Sequence, residues 1–156
     1  MAAEALTALL EREGVSFELL PHDHTERAAE EAAALGIPPE SVAKTLVLTV
    51  PDGYVRALLP ANERLDLHKV REVIGASSNK AVHLASEDDL GRDFPEFQLG
   101  AVPPVGGRRD PVLADETVAN RDEIVFEAGD HDESVRLRWE DLRRVADVRV
   151  VDIRED

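Results

Sequence analysis

The chain has 156 residues, with 33 acids against 18 bases, a formal charge of −15 and a pI near 4.7. That length suits one domain, spanning 1–156, on a prior of ~150 residues per domain, and 43% apolar content with nine Gly and nine Pro excludes global disorder and collagen-like repeats. The absence of Cys excludes disulfides, thiol catalysis and Cys-based metal sites, and the acid excess argues against broad tracking of nucleic acid.

The first segment, AEALTALLERE, places Ala5, Leu6, Leu9 and Leu10 at helical spacing and stops at Gly14. Its acids, where a leader would need bases, and apolar runs shorter than the ~20 residues of a membrane span predict a cytoplasmic protein with no membrane contact. VSFELL alternates as a strand with Val15, Phe17 and Leu19 inward. Thr25 is the expected N-cap of ERAAEEAAAL, which ends at Gly36, and PPESVA makes one further turn. KTLVLTV and YVRALL form a hairpin through Pro51-Asp52-Gly53.

Asp66 caps LHKVREVI, AVHLA is a short strand, and Ser86 with Asp89 forms a capping box for EDDL. Residues 91–111 hold four of the nine Gly and four of the nine Pro and show no period, yet Phe94, Phe97 and Leu99 are apolar anchors. This predicts an ordered functional loop, since unstructured loops beyond ~12–15 residues are uncommon in compact domains. EIVFEA and SVRLRW pair across GDHDE, WEDLRRV is a short helix and DVRVVDI a terminal strand. The acid-rich run 110–133 reads as solvated surface.

Of the 18 bases, 15 are Arg and three are Lys: Lys44, Lys69 and Lys80. Lys44 opens an apolar strand, where an ammonium at a pocket mouth suits a phosphate or carbonyl, or its stem simply covers apolar surface. Gly100 to Gly107, GAVPPVGG, is a stiff turn with free amides, suited to an oxyanion cradle or to a rigid surface connection. His22, His24 and His131 match no zinc spacing, and Ser77-Ser78 lacks the glycines of a nucleophile elbow. No metal or cofactor is expected.

The order VAKTLVL, LDLHKVREVIG, VHLASEDDL, GAVPP, ADET and EAGDHDESVRL resembles the YbaK-like family of aminoacyl-tRNA editing domains, which includes the editing domain of some prolyl-tRNA synthetases. Its most specific parts are Lys44-Thr45 at a strand head and the Gly100-x-x-x-Pro104 loop. The resemblance implies a single α+β domain, its mixed sheet curled into a partly open barrel with helices outside. It also implies hydrolysis of the ester joining a wrong small amino acid (Ala, Cys or Ser) to a tRNA 3′ end.

Under it Lys44 positions the 3′ end, while Gly100 and Ala101 supply backbone donors. Thr45, Val102 and Pro104 contact substrate, together with His22, His131 and Ser134. Ala101 and Pro103 depart from the Gly-Gly-x-Ser-Pro of many members, and the hairpin DHDES is acidic where theirs is often basic. A synthetase or elongation factor is the expected partner for delivering the aminoacyl-tRNA. The alternative is a non-catalytic module binding an aminoacyl-adenosine-like ligand or a partner protein in the same pocket.

Overall fold

A computed structural model describes residues 3–75 and 81–156, so Ser77, Ser78 and Lys80 lie outside the described residues. The fold is α+β, built on two sheets. One is antiparallel, in the order β1 (Phe17–Pro21), β7 (Glu133–Arg138), β6 (Glu123–Asp130). The other is mixed, in the order β4 (His83–Leu84), β2 (Ala43–Val50), β3 (Gly53–Pro60), β5 (Val112–Asp115), β8 (Val148–Val151). A bridge between Val42, just before β2, and Val125 of β6 joins the two sheets, giving a curved, open barrel.

Local chemistry set most elements where the sequence placed them. Helix α1 (Ala3–Arg12) buries Leu6 and Leu10 between the sheets against Phe126, Leu137, Trp139 and Leu142. The β2–β3 hairpin closes at Pro51-Asp52, with Val50 opposite Gly53. Asp66 accepts from the amides of His68 and Lys69 to start α3 (Leu67–Ile74). Ser86 and Asp89 form the reciprocal box of α4 (Glu87–Asp93). The last helix, α6, runs Trp139–Val145.

Four expectations are corrected. Helix α2 (Ala28–Leu35) is capped at Arg27, not Thr25, because the Glu30 carboxylate accepts from the Glu26 and Arg27 amides at 3.2 and 3.1 Å. Leu19 is exposed, and Val15 reaches the core from before the strand. Leu99 is also exposed, whereas Phe94 and Phe97 are buried against Val47 and Val102. Each buried ring contributes roughly 1.5–3 kcal/mol to holding residues 94–102 on β2.

The run 110–133 is not solvated surface. Strand β5 is wholly buried between two parallel neighbours, where strands do not alternate. Its Asp115 caps helix α5 (Glu116–Ala119) and also accepts from the Ile153 amide and from Arg154.

The second half of the long loop hangs on one buried guanidinium. Arg56 lies in β3, fully buried, and donates from Nη1 to the Pro103 carbonyl at 2.8 Å. Its Nη2 reaches the carbonyls of Gly106 (2.7 Å) and Arg108 (3.2 Å), while Nε and Nη2 both reach Asp110 Oδ2. A charge is tolerated at such a place only when every donor is met. Replacing Arg56 by Met should lower unfolding free energy by about 3–5 kcal/mol, since three carbonyls lose their donor and the buried Asp110 keeps only its longer contact with the more exposed Arg108. Combining it with Asp110→Leu should recover part of that loss in urea titrations. A double variant no more stable than the single one would contradict this account.

Candidate active site

Packing of α2 on the seam between the sheets creates a pocket of about 400 Å³. Ala32 and Ala28 sit on Val42, Ala61 and Val125, so the preceding turn of α2 forms one wall. The head of β2, residues Ala43 to Leu46, forms a second, Gly100 to Val102 a third, and Phe126 with Glu127 the floor. Lys44, Thr45, Gly100, Ala101 and Val102 are therefore brought together from positions more than fifty residues apart.

Lys44 is half-buried and, among the described residues, has no carboxylate within ion-pair distance; Lys69, by contrast, pairs with Asp152 and Asp156. Desolvation and the nearby Arg64 charge pull the Lys44 ammonium below the usual lysine range. Thr45 Oγ1 is buried with no hydrogen-bond partner.

The turn 98–101 closes by a hydrogen bond from the Ala101 amide to the Gln98 carbonyl at 3.0 Å. Gly100 takes φ +82° at its third position, the conformation that favours glycine there. The Ala101 amide is thus engaged and is not a free donor, contrary to expectation. Among the described residues the amides of Gly100 and Val102 have no partner. A Cβ at Gly100 would face the His131 ring at 3.5 Å.

The β6–β7 hairpin grips this turn. Gln98 donates its amide to the Gly129 carbonyl at 2.9 Å, and its side-chain oxygen accepts from the His131 amide at 2.9 Å. His131 Nε2 lies 2.7 Å from the Leu99 carbonyl, which only accepts, so Nε2 carries a proton.

The structure does not place His22, His131, Ser134 or Pro104 on the pocket wall. The first three stand one layer behind it, against two glutamates that do line it. The Ser134 hydroxyl bonds Glu31 Oε2 and lies 3.0 Å from His22 Nε2; His131 Nδ1 lies 2.8 Å from Glu127 Oε2, without the alignment of a hydrogen bond. Pro104 follows the point where Arg56 turns the chain away. It faces a separate cleft of about 970 Å³ with Arg12, Arg108, Arg109 and Arg144. His22 and His24 turn to different partners, His24 to Glu26 and Asp132.

Glu31 and Glu127 escaped the sequence reading, although each interrupts an apolar run, AAEEAAA and VFEAG. Burial raises both carboxyls, and Glu127 is pushed further, by the charges of Glu31, Asp130 and Glu26, to about 9.

Comparison with known proteins agrees with this geometry. Residues 22–145 match the aminoacyl-tRNA editing domain family, and the chain belongs to it. It is 31% identical to the multifunctional Ser/Thr-tRNA deacylase ProXp-y of Escherichia coli K12, over 97% of this chain and 92% of that protein. It is 30% identical to the proline–tRNA ligase of Fervidobacterium nodosum over 61% of this chain and 16% of the ligase. A crystal structure described as a candidate trans-editing enzyme for prolyl-tRNA synthetase superposes with a TM-score of 0.85, at 26% identity, covering 99% and 98% of the two chains. The protein is an enzyme of the aminoacyl-tRNA hydrolase class.

Glu127 makes folding less favourable as pH rises. Its carboxyl titrates near 4.5 when free and near 9 in the fold. Between those values the native state holds a proton that the unfolded chain releases, so this contribution is full below about 4.5 and lost as pH rises through about 9. Glu127→Gln keeps a neutral group there. Its urea midpoint should fall less than that of wild type between pH 5.5 and 8.5; equal falls would show that Glu127 is already ionised at the lower pH.

Proposed function

We propose that the chain hydrolyses the ester of a small amino acid, of the Ala, Ser or Cys class, mischarged on a tRNA, with tRNA-Pro as one carrier. The observation that carries this reading is one small pocket that holds, among the described residues, an unpaired lysine on one wall and two unengaged amides on the facing loop. In it Lys44 holds the phosphate of the terminal nucleotide, and the Gly100 and Val102 amides receive the acyl oxygen as negative charge develops on it. Water, oriented by the neighbouring ribose hydroxyl, adds to the carbonyl carbon. The bond from that carbon to the ribose oxygen breaks, and the water proton ends on the ribose.

An ester already activated by its α-ammonium needs placement and oxyanion stabilisation more than a nucleophile. Thr45 and Val102 bound the space for the side chain. The orphan Thr45 Oγ1 supports a substrate bearing a hydroxyl, in keeping with the Ser/Thr-tRNA deacylase relative. A pocket that hydrogen-bonds a hydroxyl discriminates more sharply than one that only measures a methylene, worth ~1–3 kcal/mol. The charge of −15 supports delivery by a synthetase or elongation factor, with Arg108 and Arg109 near the loop meeting the phosphates.

Deacylation of tRNAs deliberately charged with Ala, Ser, Thr and Cys tests the reading directly. Turnover of at least one is expected; no turnover of any by folded protein would favour the binding module. Lys44→Ala should lower kcat/KM by on the order of 100-fold, the scale of a lost transition-state contact, while Tm stays within about 3 °C. Near wild-type turnover would remove Lys44 from the site. Binding of bare, uncharged tRNA should be weak at physiological salt and fall further as salt rises, and nanomolar binding would exclude the need for a delivering partner.

A further inference from the structure

Two carboxyls, Glu31 and Glu127, line the pocket and take no part in the proposed ester cleavage. Glu31 is fully buried; Ser134 fixes its Oε2, and its Oε1 has no hydrogen-bond partner. The Glu127 side chain is 10% exposed, and its Oε2 touches His131 Nδ1 without an aligned bond. Glu26 stands at the rim of the same pocket. Buried carboxyl oxygens without a hydrogen-bond partner are costly to keep. Burial and, after it, the charges of Glu31, Asp130 and Glu26 push the Glu127 carboxyl up to about 9. A cation entering beside it would offset those charges, and the carboxyl would release its proton to water as the cation binds.

We propose that Glu31 and Glu127 receive the α-ammonium group of the aminoacyl ester. The inference rests on the deacylase reading and names what that site recognises. At its acyl end an Ala, Ser or Cys ester carries one cation. Its nitrogen lies two bonds from the carbonyl carbon, about 2.5 Å away. His131 ties the two walls together behind the pocket, with Nε2 2.7 Å from the Leu99 carbonyl, next to Gly100, and Nδ1 2.8 Å from Glu127 Oε2. A carbonyl oxygen on the Gly100 amide therefore leaves the adjoining amine facing the glutamate wall. His22 and Ser134 are positioning residues: through Ser134 they hold Glu31 while its second oxygen is left without a hydrogen-bond partner.

The test compares an aminoacyl-tRNA that the wild type turns over with its α-hydroxy counterpart, prepared by deaminating the same charged tRNA. The two esters are nearly isosteric and differ in the charge. Each rate is divided by the spontaneous hydrolysis of that ester. Wild type should then prefer the amine by at least ~10-fold in kcat/KM, the scale of a charged hydrogen bond. Glu127→Gln and Glu31→Gln should each slow the amine substrate alone and bring the preference towards one.

A wild-type preference near one overturns the proposal without needing any variant to fold. Equal slowing of both substrates in the variants also overturns it, since that is what a purely structural role would produce. Losses that follow seryl over alanyl esters, whatever the α-substituent, would assign the glutamates to the side-chain hydroxyl instead. Wild type inactive on every charged tRNA is a different result, which sinks the deacylase reading itself.

Discussion

Burial of the Arg56 guanidinium is the constraint on which the pocket depends. An irregular stretch of nearly twenty residues must present two amides at fixed positions, and it has no ladder of its own to hold it. Arg56 sits inside β3 and bonds three carbonyls and one carboxylate of residues 103–110. Phe94 and Phe97, buried on β2, hold the other end. The 98–101 turn lies between those anchors and is gripped from the opposite sheet by Gly129 and His131. A lysine at 56 would keep the charge but could not fork across four acceptors. The cradle is thus rigid because both sheets hold it.

The same arrangement polarises the pocket. Among the described residues, Lys44 at the head of β2 has no carboxylate within ion-pair distance, although three glutamates line the same cavity. Glu31, bonded through one oxygen to Ser134, and Glu127, lying against His131, line other parts of the cavity and form no ion pair with Lys44. Merged into one ion pair, these groups would have cancelled each other and left only shape. Held apart, they offer a cation at one end and acids at the other, with neutral amides between. That sequence of charge matches an ester flanked by a phosphate on the nucleotide side and an ammonium on the acyl side.

What the sequence revealed was whatever is decided within a few residues. The Asp66 cap, the Ser86–Asp89 box and the Pro51-Asp52 turn close locally, and each was legible. Strand β5 was not, because four buried residues between parallel neighbours carry no alternation and Asp115 looks like a surface acid until Ile153 and Arg154 arrive from the chain's end. Arg56 and Glu31 were missed for a related reason: their partners, Asp110 and Ser134, lie 54 and 103 residues away. Ala101 shows the finer limit. That its amide is spent inside the turn depends on Gly100 adopting positive φ, which a Gly-x-x-x-Pro pattern permits without specifying. In each case a charge or donor was visible, and what was hidden was the distant group that uses it.

The acidic total takes on a different meaning once it is divided by place. Many surface acids are already matched to arginines, as Asp89 and Asp93 are to Arg92 and Glu18 is to Arg136. Among the described residues, Arg12 and Arg109 in the cleft beside the loop have no carboxylate partner, and neither has Lys44. Cations left unpaired in an acid-rich chain are held against a local excess of counter-charge, so they attract phosphate only at close range. At a Debye length of about 8 Å the repulsion of the remaining surface is screened beyond a few contacts. A surface of this kind suits brief engagement of a short 3′ end and release of the rest of the tRNA, which a uniformly basic surface would retain.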